Sequence, residues 1–304
     1  MRPHHEAIRP TTIIEAPRLS KRLGAQVVIA SETFQWTGSF KFRAAYNVAL
    51  NVPNEKIIAA SSGNFGQALA YACQLTGKRC TVVMPHDSAR VKVDAVREYG
   101  ATVDLINVRE ISRSERIRHL AAETGEAYVA SAYDDPLVIE GNASLGDELI
   151  ALGRRFDAIV VPVGGGGLIG GIAQRVAQAK NGTRVFGAEP ALGNDAARSL
   201  REGRLISNDQ EPQTIADGAR TVSLGQHNWA IIRENVAGIV EVPEEQIREG
   251  LRLLYGLANL KVEPTGALAI GALLAEPDRF RDQEICCVVS GGNVDPAMYR
   301  ECLG

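Results

Sequence analysis

Four consecutive glycines, Gly164, Gly165, Gly166 and Gly167, follow the apolar run Ala158 to Val163 and open the helical pattern Leu168 to Ala179. That junction admits few folds. A strand that runs through glycines into a helix belongs to an α/β chain. Residues without a Cβ let backbone N–H groups close on an anion at the helix start, where the dipole favours negative charge. The segment therefore reads as a phosphate cradle, and the phosphate has more than one candidate. Gly165-x-Gly167-x-x-Gly170 has dinucleotide spacing, and the next strand, Arg184 to Ala188, ends at Glu189, where a ribose-binding acid would stand. A different phosphorylated ligand fits as well, and so does a tight turn that only packs a helix on a sheet. The segment alone leaves all three open.

The rest of the chain alternates short β-branched runs with longer helical stretches. Candidate strands are Gln26 to Ala30, Lys56 to Ala60, Cys80 to Met84, Thr102 to Ile106, Ala158 to Val163, Arg184 to Ala188 and Ile285 to Val289. Helical patterns such as Phe65 to Leu75, Ala89 to Tyr99 and Ile111 to Glu123 lie between them. Such alternation predicts βαβ units and parallel sheets. The segment 56–134 reads as a compact α/β unit, and so does the longer stretch after Pro136. Two doubly wound lobes would place a ligand in the cleft between them, at the carboxyl ends of the strands.

Composition narrows the function classes. In 304 residues, 33 basic and 36 acidic side chains give a formal charge of −3, and aromatics are 5%. No nucleic-acid partner is expected from that balance. Met1 to Pro10 has no apolar core and no stretch is long enough to span a bilayer, so neither a secretory leader nor a membrane partner is expected. Cys73, Cys80, Cys286, Cys287 and Cys302 form no CxxC pair, a reduced, cytoplasmic pattern of core thiols. The five histidines lack metal-ligand spacing, and His4 and His5 are expected in a mobile terminus.

Three further loops carry polar groups. Lys41 stands between Phe40 and Phe42, after Trp36-Thr37-Gly38-Ser39 and before the helical pattern Ala44 to Leu50. Desolvation there would favour the neutral amine that a Schiff-base lysine needs; a snorkelling surface lysine is the plainer reading. Ser61-Ser62-Gly63-Asn64 follows a strand and opens a helix, as either a carboxylate cradle or an ordinary N-cap. Ser290-Gly291-Gly292-Asn293 again follows a strand, with a hydroxyl that could face the same cleft or sit in a plain turn. A dinucleotide enzyme has no use for the lysine or the lone serine, whereas an aldehyde cofactor with one phosphate could use both.

In these stretches the chain resembles the threonine/serine dehydratase and serine racemase family of fold type II pyridoxal phosphate (PLP) enzymes. The matching stretches run in the family's order along nearly the whole chain: Thr37-Gly38-Ser39-Phe40-Lys41, Ser61-Ser62-Gly63-Asn64, Asp134-Asp135-Pro136, Gly164 to Gly167, Thr214-Ile215-Ala216-Asp217-Gly218, Glu263-Pro264-Thr265 and Ser290-Gly291-Gly292-Asn293-Val294-Asp295. The resemblance implies two doubly wound parallel-sheet lobes like tryptophan synthase β. The large PLP-binding domain would comprise 1–55 plus 135–304, and the small domain 56–134. It implies that Lys41 is the Schiff-base lysine and takes the Cα proton, and that Phe40 packs beside the ring. Asn64 would bond the phenolic oxygen, Gly164, Gly165, Gly166 and Gly167 the phosphate, and Ser290 the pyridine nitrogen. A neutral hydroxyl at that nitrogen suits β-elimination better than transamination. Ser61, Ser62, Gly63 and Asn64 would hold the substrate α-carboxylate. Ser62 matches the position that works opposite the lysine in racemases. Glu189, the carbonyl of Gly193, and Asp195 match a site for Mg²⁺ or Ca²⁺, with a solvated or capping acid pair as the plainer reading.

The chain also departs from the family. Phe65 stands where histidine is usual, Ala44 where glycine is usual, Ser131-Ala132 where His-Pro is frequent, and Gly141-Asn142-Ala143-Ser144 where Gly-Gln-Gly-Thr is familiar. Phe65 and Ser131 argue against a serine-optimised pocket and for a more apolar or bulkier 3-hydroxy amino acid. Arg220 could instead bind a distal carboxylate, or sit in a surface ion pair. The expected activity is a PLP-dependent ammonia-lyase that yields a 2-keto acid and ammonia. An amino-acid racemase using Lys41 and Ser62, a dehydratase specific for 3-hydroxyaspartate or a bulkier 3-hydroxy amino acid, and an idle PLP-binding protein are the alternatives. A homodimer is the family expectation, and no C-terminal regulatory domain is expected after Gly304.

Overall fold

A computed structural model describes residues 7–88 and 90–304, though not the side chains of Val91 and Thr124. His4 and His5 lie outside the described residues, as does Ala89. No described helix is long and apolar enough to cross a membrane. Among the described residues ten strands occur in chain order: β1 (Thr12–Glu15), β2 (Gln26–Ser31), β3 (Lys56–Ala60), β4 (Arg79–Pro85), β5 (Thr102–Ile106), β6 (Ala127–Val129), β7 (Ala158–Pro162), β8 (Arg184–Pro190), β9 (Gly238–Val242) and β10 (Glu284–Val289). They form a six-stranded sheet in the order β1-β2-β10-β7-β8-β9 and a four-stranded sheet in the order β5-β4-β3-β6.

The chain divides into two compact units. One takes the chain up to Phe40 together with Asn142–Gly304; the other is Lys41–Gly141. One boundary is the Phe40–Lys41 peptide bond, and the other falls inside the helix Pro136–Ala151.

In the larger unit every strand pair is parallel except β1 with β2. Its central strands are unbroken apolar runs because both faces are buried. Val27, Ile29, Ala158, Val160, Ile285 and Cys287 enter one core cluster, and Val28, Ala30, Ile159, Val161, Cys286 and Val288 enter another. The period of two splits each run between the two cores. Cys286 and Cys287 thus serve opposite faces, and burial pushes the Cys286 thiol up to about 12. All five cysteines are free and buried, as expected of core thiols.

The smaller unit is wholly parallel. Ile58, Val83, Ile106 and Leu120 form one of its core clusters. Its helix Asn64–Thr76 runs from the end of β3 and closes on Gly77 in the left-handed conformation. In both units the loops of interest follow the carboxyl ends of strands: β3, β7, β8 and β10.

Candidate active site

The lysine loop begins with a short 3₁₀ turn, Trp36–Gly38. Inside it Thr37 is left-handed, with φ 60° and ψ 15°. For a β-branched residue that costs about 1–3 kcal/mol and needs surroundings that enforce it. The loop after β10 provides them. The Phe40 amide donates to the Ser290 carbonyl at 3.0 Å, and the Gly292 amide to the Gly38 carbonyl at 2.9 Å. Ser39 bridges Gly291, and Asn293 Nδ2 donates to the Thr37 carbonyl at 2.7 Å. Phe40 lies half-buried against the core of the larger unit. Lys41 follows it in the chain and starts the helix Lys41–Asn51.

Within the smaller unit, half-buried Lys41 donates from Nζ to the Ala132 carbonyl at 2.6 Å. Its Nζ also lies 5.7 Å from the centre of the Phe65 ring. Phe65 is 2% exposed, so the residue that replaces the family's histidine forms an apolar wall near the amine. The turn presenting Ala132 is built by Ser131, whose Oγ accepts from the amides of Tyr133 at 3.4 Å and Asp134 at 2.9 Å. Asp135 then takes the Tyr128 hydroxyl at 2.5 Å and the Leu137 amide at 2.8 Å. Burial and that carboxylate push the Tyr128 phenol well up.

Ser61, Ser62, Gly63 and Asn64 are all half-buried at the end of β3. Ser61 Oγ accepts from the amides of Gly63 at 3.3 Å and Gly66 at 3.1 Å. A Cβ on Gly66 would come within 2.6 Å of the Ser61 carbonyl, so the loop folds tightly back on the helix. Gly63 is the N-cap and supplies no side-chain bond to the first turn. A helix start at the end of a strand favours an anion such as a carboxylate, and the Gly66 amide of this turn is already held by Ser61 Oγ.

The glycine run behaves in the same way at larger scale. Gly166 caps the helix Gly167–Ala179 with φ 91° and no side-chain bond. A Cβ there would lie 2.9 Å from both Ile232 and Leu224 and 3.0 Å from Asn228. Asn228 Nδ2 and the Gly225 amide both donate to the Gly165 carbonyl, at 2.7 Å and 3.1 Å. That engages the Gly165 carbonyl, which would otherwise be free to repel an anion at the run. Gly164 is as constrained, since its Cβ would come 3.0 Å from the Ala219 Cα. At the end of β10, Ser290 is 2% exposed and its Oγ has no hydrogen-bond partner. The larger unit offers a glycine cradle and a buried, unpaired hydroxyl, and the smaller unit offers a lysine amine; each is a group that a phosphorylated pyridine aldehyde can use, so the residues fit PLP.

Glu189 and Asp195 are each 2% exposed. The Glu189 carboxylate accepts from the amides of Ala196 at 3.1 Å and Ala197 at 2.6 Å, in the first turn of the helix Asp195–Glu202. Asp195 Oδ1 accepts from Asn208 at 2.9 Å, and Oδ2 is buried without a partner. Burial, with Asp195 and Glu241 nearby, holds Glu189 well above the usual carboxylate range; burial raises Asp195 to about 7. A hard cation would relieve both acids. Among the described residues no group of three or more His, Cys, Asp or Glu could hold a metal, so carbonyl and water oxygens would have to complete any cation shell. Gly193 is buried in the intervening 3₁₀ turn.

Arg220 is half-buried, with Nε and Nη2 both donating to the Thr214 carbonyl, at 2.8 Å and 2.6 Å. Only its remaining N–H groups are left for a distal carboxylate. Sequence reasoning missed the Ala132 carbonyl, Asn228 and the role of Asn293. A carbonyl leaves no trace in residue identity, whereas Asn293 already stood in a matching stretch.

The family model described as "Pyridoxal-phosphate dependent enzyme" matches residues 5–291. The chain belongs to this family. Among curated PLP-dependent relatives, L-threo-3-hydroxyaspartate ammonia-lyase of Saccharomyces cerevisiae is 38% identical over 97% of this chain and 91% of its own. Serine racemase of Mus musculus is 35% identical over 95% and 88%. Among solved structures, the T.th. threonine deaminase superposes with a TM-score of 0.90 at 41% identity, covering 95% of this chain and 94% of that one. The two-sheet α/β architecture is thus that of fold type II PLP enzymes, and the dinucleotide reading of the glycine run falls away.

Proposed function

We propose that this PLP enzyme is an ammonia-lyase that converts a 3-hydroxy amino acid to a 2-keto acid and ammonia, with 3-hydroxyaspartate as its substrate. The observation that carries the reaction class is Ser290: a buried, unpaired hydroxyl whose carbonyl is bonded to the residue preceding the lysine. When bound, PLP supplies an electron sink for bonds broken at the substrate Cα. A hydroxyl at the pyridine nitrogen tempers that sink toward elimination. Lys41 Nζ would hold the cofactor and would serve as the base that takes the Cα proton. The Ala132 carbonyl orients the amine meanwhile. Ser61, Ser62, Gly63 and Asn64 hold the α-carboxylate, Asn64 bonds the phenolic oxygen, and Phe40 flanks the ring. Gly164 to Gly167 hold the phosphate.

The substrate choice is supported by similarity to two L-threo-3-hydroxyaspartate ammonia-lyases, each 38% identical, and by Arg220, whose outer N–H groups suit a second carboxylate. Glu189, the Gly193 carbonyl and Asp195 bind Mg²⁺ or Ca²⁺ in this reading. The enzyme works as a cytoplasmic homodimer. A racemase reading is favoured by Ser62, half-buried in the carboxylate loop, and by the serine racemase relatives.

The test is turnover of 3-hydroxyaspartate, threonine, serine and 3-phenylserine by PLP-loaded protein. Keto acid from hydroxyaspartate, lost in Lys41→Ala, is expected; D-isomer without keto acid would establish the racemase instead. Arg220→Ala should lower hydroxyaspartate turnover at least ten-fold more than threonine turnover, and equal losses would remove Arg220 from the substrate site.

A further inference from the structure

The turn before Lys41 holds a conformation that its own residues resist. Thr37 is β-branched and left-handed, and its hydroxyl is buried without a partner, so its side chain does not secure the turn. The bond that does engage it is made at the carbonyl, which accepts from Asn293 Nδ2 at 2.7 Å. Gly38, with φ 73°, makes this approach possible, because a Cβ there would overlap the Asn293 amide. Backbone links from Gly292 to Gly38 and from Phe40 to Ser290 then fix the register up to the residue before the lysine. Relaxation of Thr37 to an ordinary φ would redirect every residue from Gly38 to Lys41.

We propose that Asn293 is a positioning residue for Lys41: it pins Thr37 in the left-handed conformation and so sets where the lysine enters its helix. The inference rests on Lys41 being the cofactor-anchoring lysine. Asn293 acts on Lys41 through the turn.

The experiment compares PLP-loaded wild type, Asn293→Ala, Asn293→Asp and the double variant Thr37→Gly/Asn293→Ala. Asp keeps the shape of Asn and removes the N–H donor; Gly takes a left-handed φ freely. Three quantities are read: hydrogen exchange across residues 36–42, absorbance of the lysine-bound cofactor, and kcat and KM for keto-acid formation. Both single variants should exchange at least ten-fold faster and lose about 100-fold in kcat with little change in KM, as a small misplacement of a reacting group does. Their cofactor absorbance should weaken, and the double variant should recover at least ten-fold of the lost kcat. Unchanged exchange in the single variants, or no recovery on adding Thr37→Gly, would overturn the proposal. Should Asn293→Ala fail to fold, Asn293→Asp alone and combined with Thr37→Gly gives the same decision. A wild type without lysine-bound absorbance would count against the proposed function, and the exchange comparison would still decide the pin.

Discussion

A buried hydroxyl without a partner costs a folded chain about 1–3 kcal/mol, and Ser290 holds one at the end of β10. Removing it separates structure from ligand binding. Ser290→Ala should leave the unfolding temperature of the cofactor-free protein unchanged or raised. PLP affinity should fall about ten-fold, or about 1.4 kcal/mol, lowering the unfolding temperature of the loaded form. Thermal unfolding of both forms reads this; an equal drop in each would mean that the hydroxyl is structural. At this scale the sequence was most legible where chemistry sits in side chains. Lys41, Ser290 and the glycines could be picked out because an amine, a hydroxyl or a missing Cβ is written in residue identity. The Ala132 carbonyl that receives Lys41 could not, since every residue has one and only the fold decides which points at the amine.

Helix entrances and strand ends do the holding, and two predictions belong to them. Gly166→Ala adds a Cβ at φ 91° that meets Leu224, Ile232 and Asn228, so stability should fall by about 2–4 kcal/mol. Gly63→Ala, at the other helix start, meets nothing within 4 Å at an ordinary φ, and its stability should stay within about 0.5 kcal/mol. Urea unfolding compares them, and similar losses would contradict the distinction. The second prediction concerns the acids joining β8 to the helix Asp195–Glu202. Asp195 is raised from 3.8 to about 7 on folding, so its contribution is present below about pH 4 and lost as pH rises toward 7. Metal-free protein should therefore lose stability across that window. Mg²⁺ or Ca²⁺ should raise the unfolding temperature more at pH 8 than at pH 5, because protons compete for the ligands. An equal shift at both pH values would argue against these carboxylates as ligands. Strand legibility follows the same local logic. All seven expected strands are present within a residue or two. The three missed, β1, β6 and β9, are sheet edges. These three are half-exposed and lack the continuous apolar run that marks β7 or β10, while the fourth edge, β5, was legible all the same.

Across the whole molecule, the alternation of strands and helices predicted two parallel sheets, and both are present. The antiparallel β1 was not legible, because nothing in a four-residue run states its direction. Chain order also hides the fact that β10 lies between β2 and β7. A chain stopped after Gln283 should therefore fail to assemble the six-stranded sheet. Hydrogen exchange would show β2 and β7 unprotected while β3 and β4, in the other unit, keep their protection; slow exchange in β2 would refute this. The 256 residues that separate Thr37 from Asn293 give the same arrangement a meaning in time. At roughly 5–20 residues per second, a ribosome needs on the order of 10–50 s between making the turn and making the side chain that pins it. Throughout that interval the turn before Lys41 exists without the Asn293 bond that holds it in the folded chain.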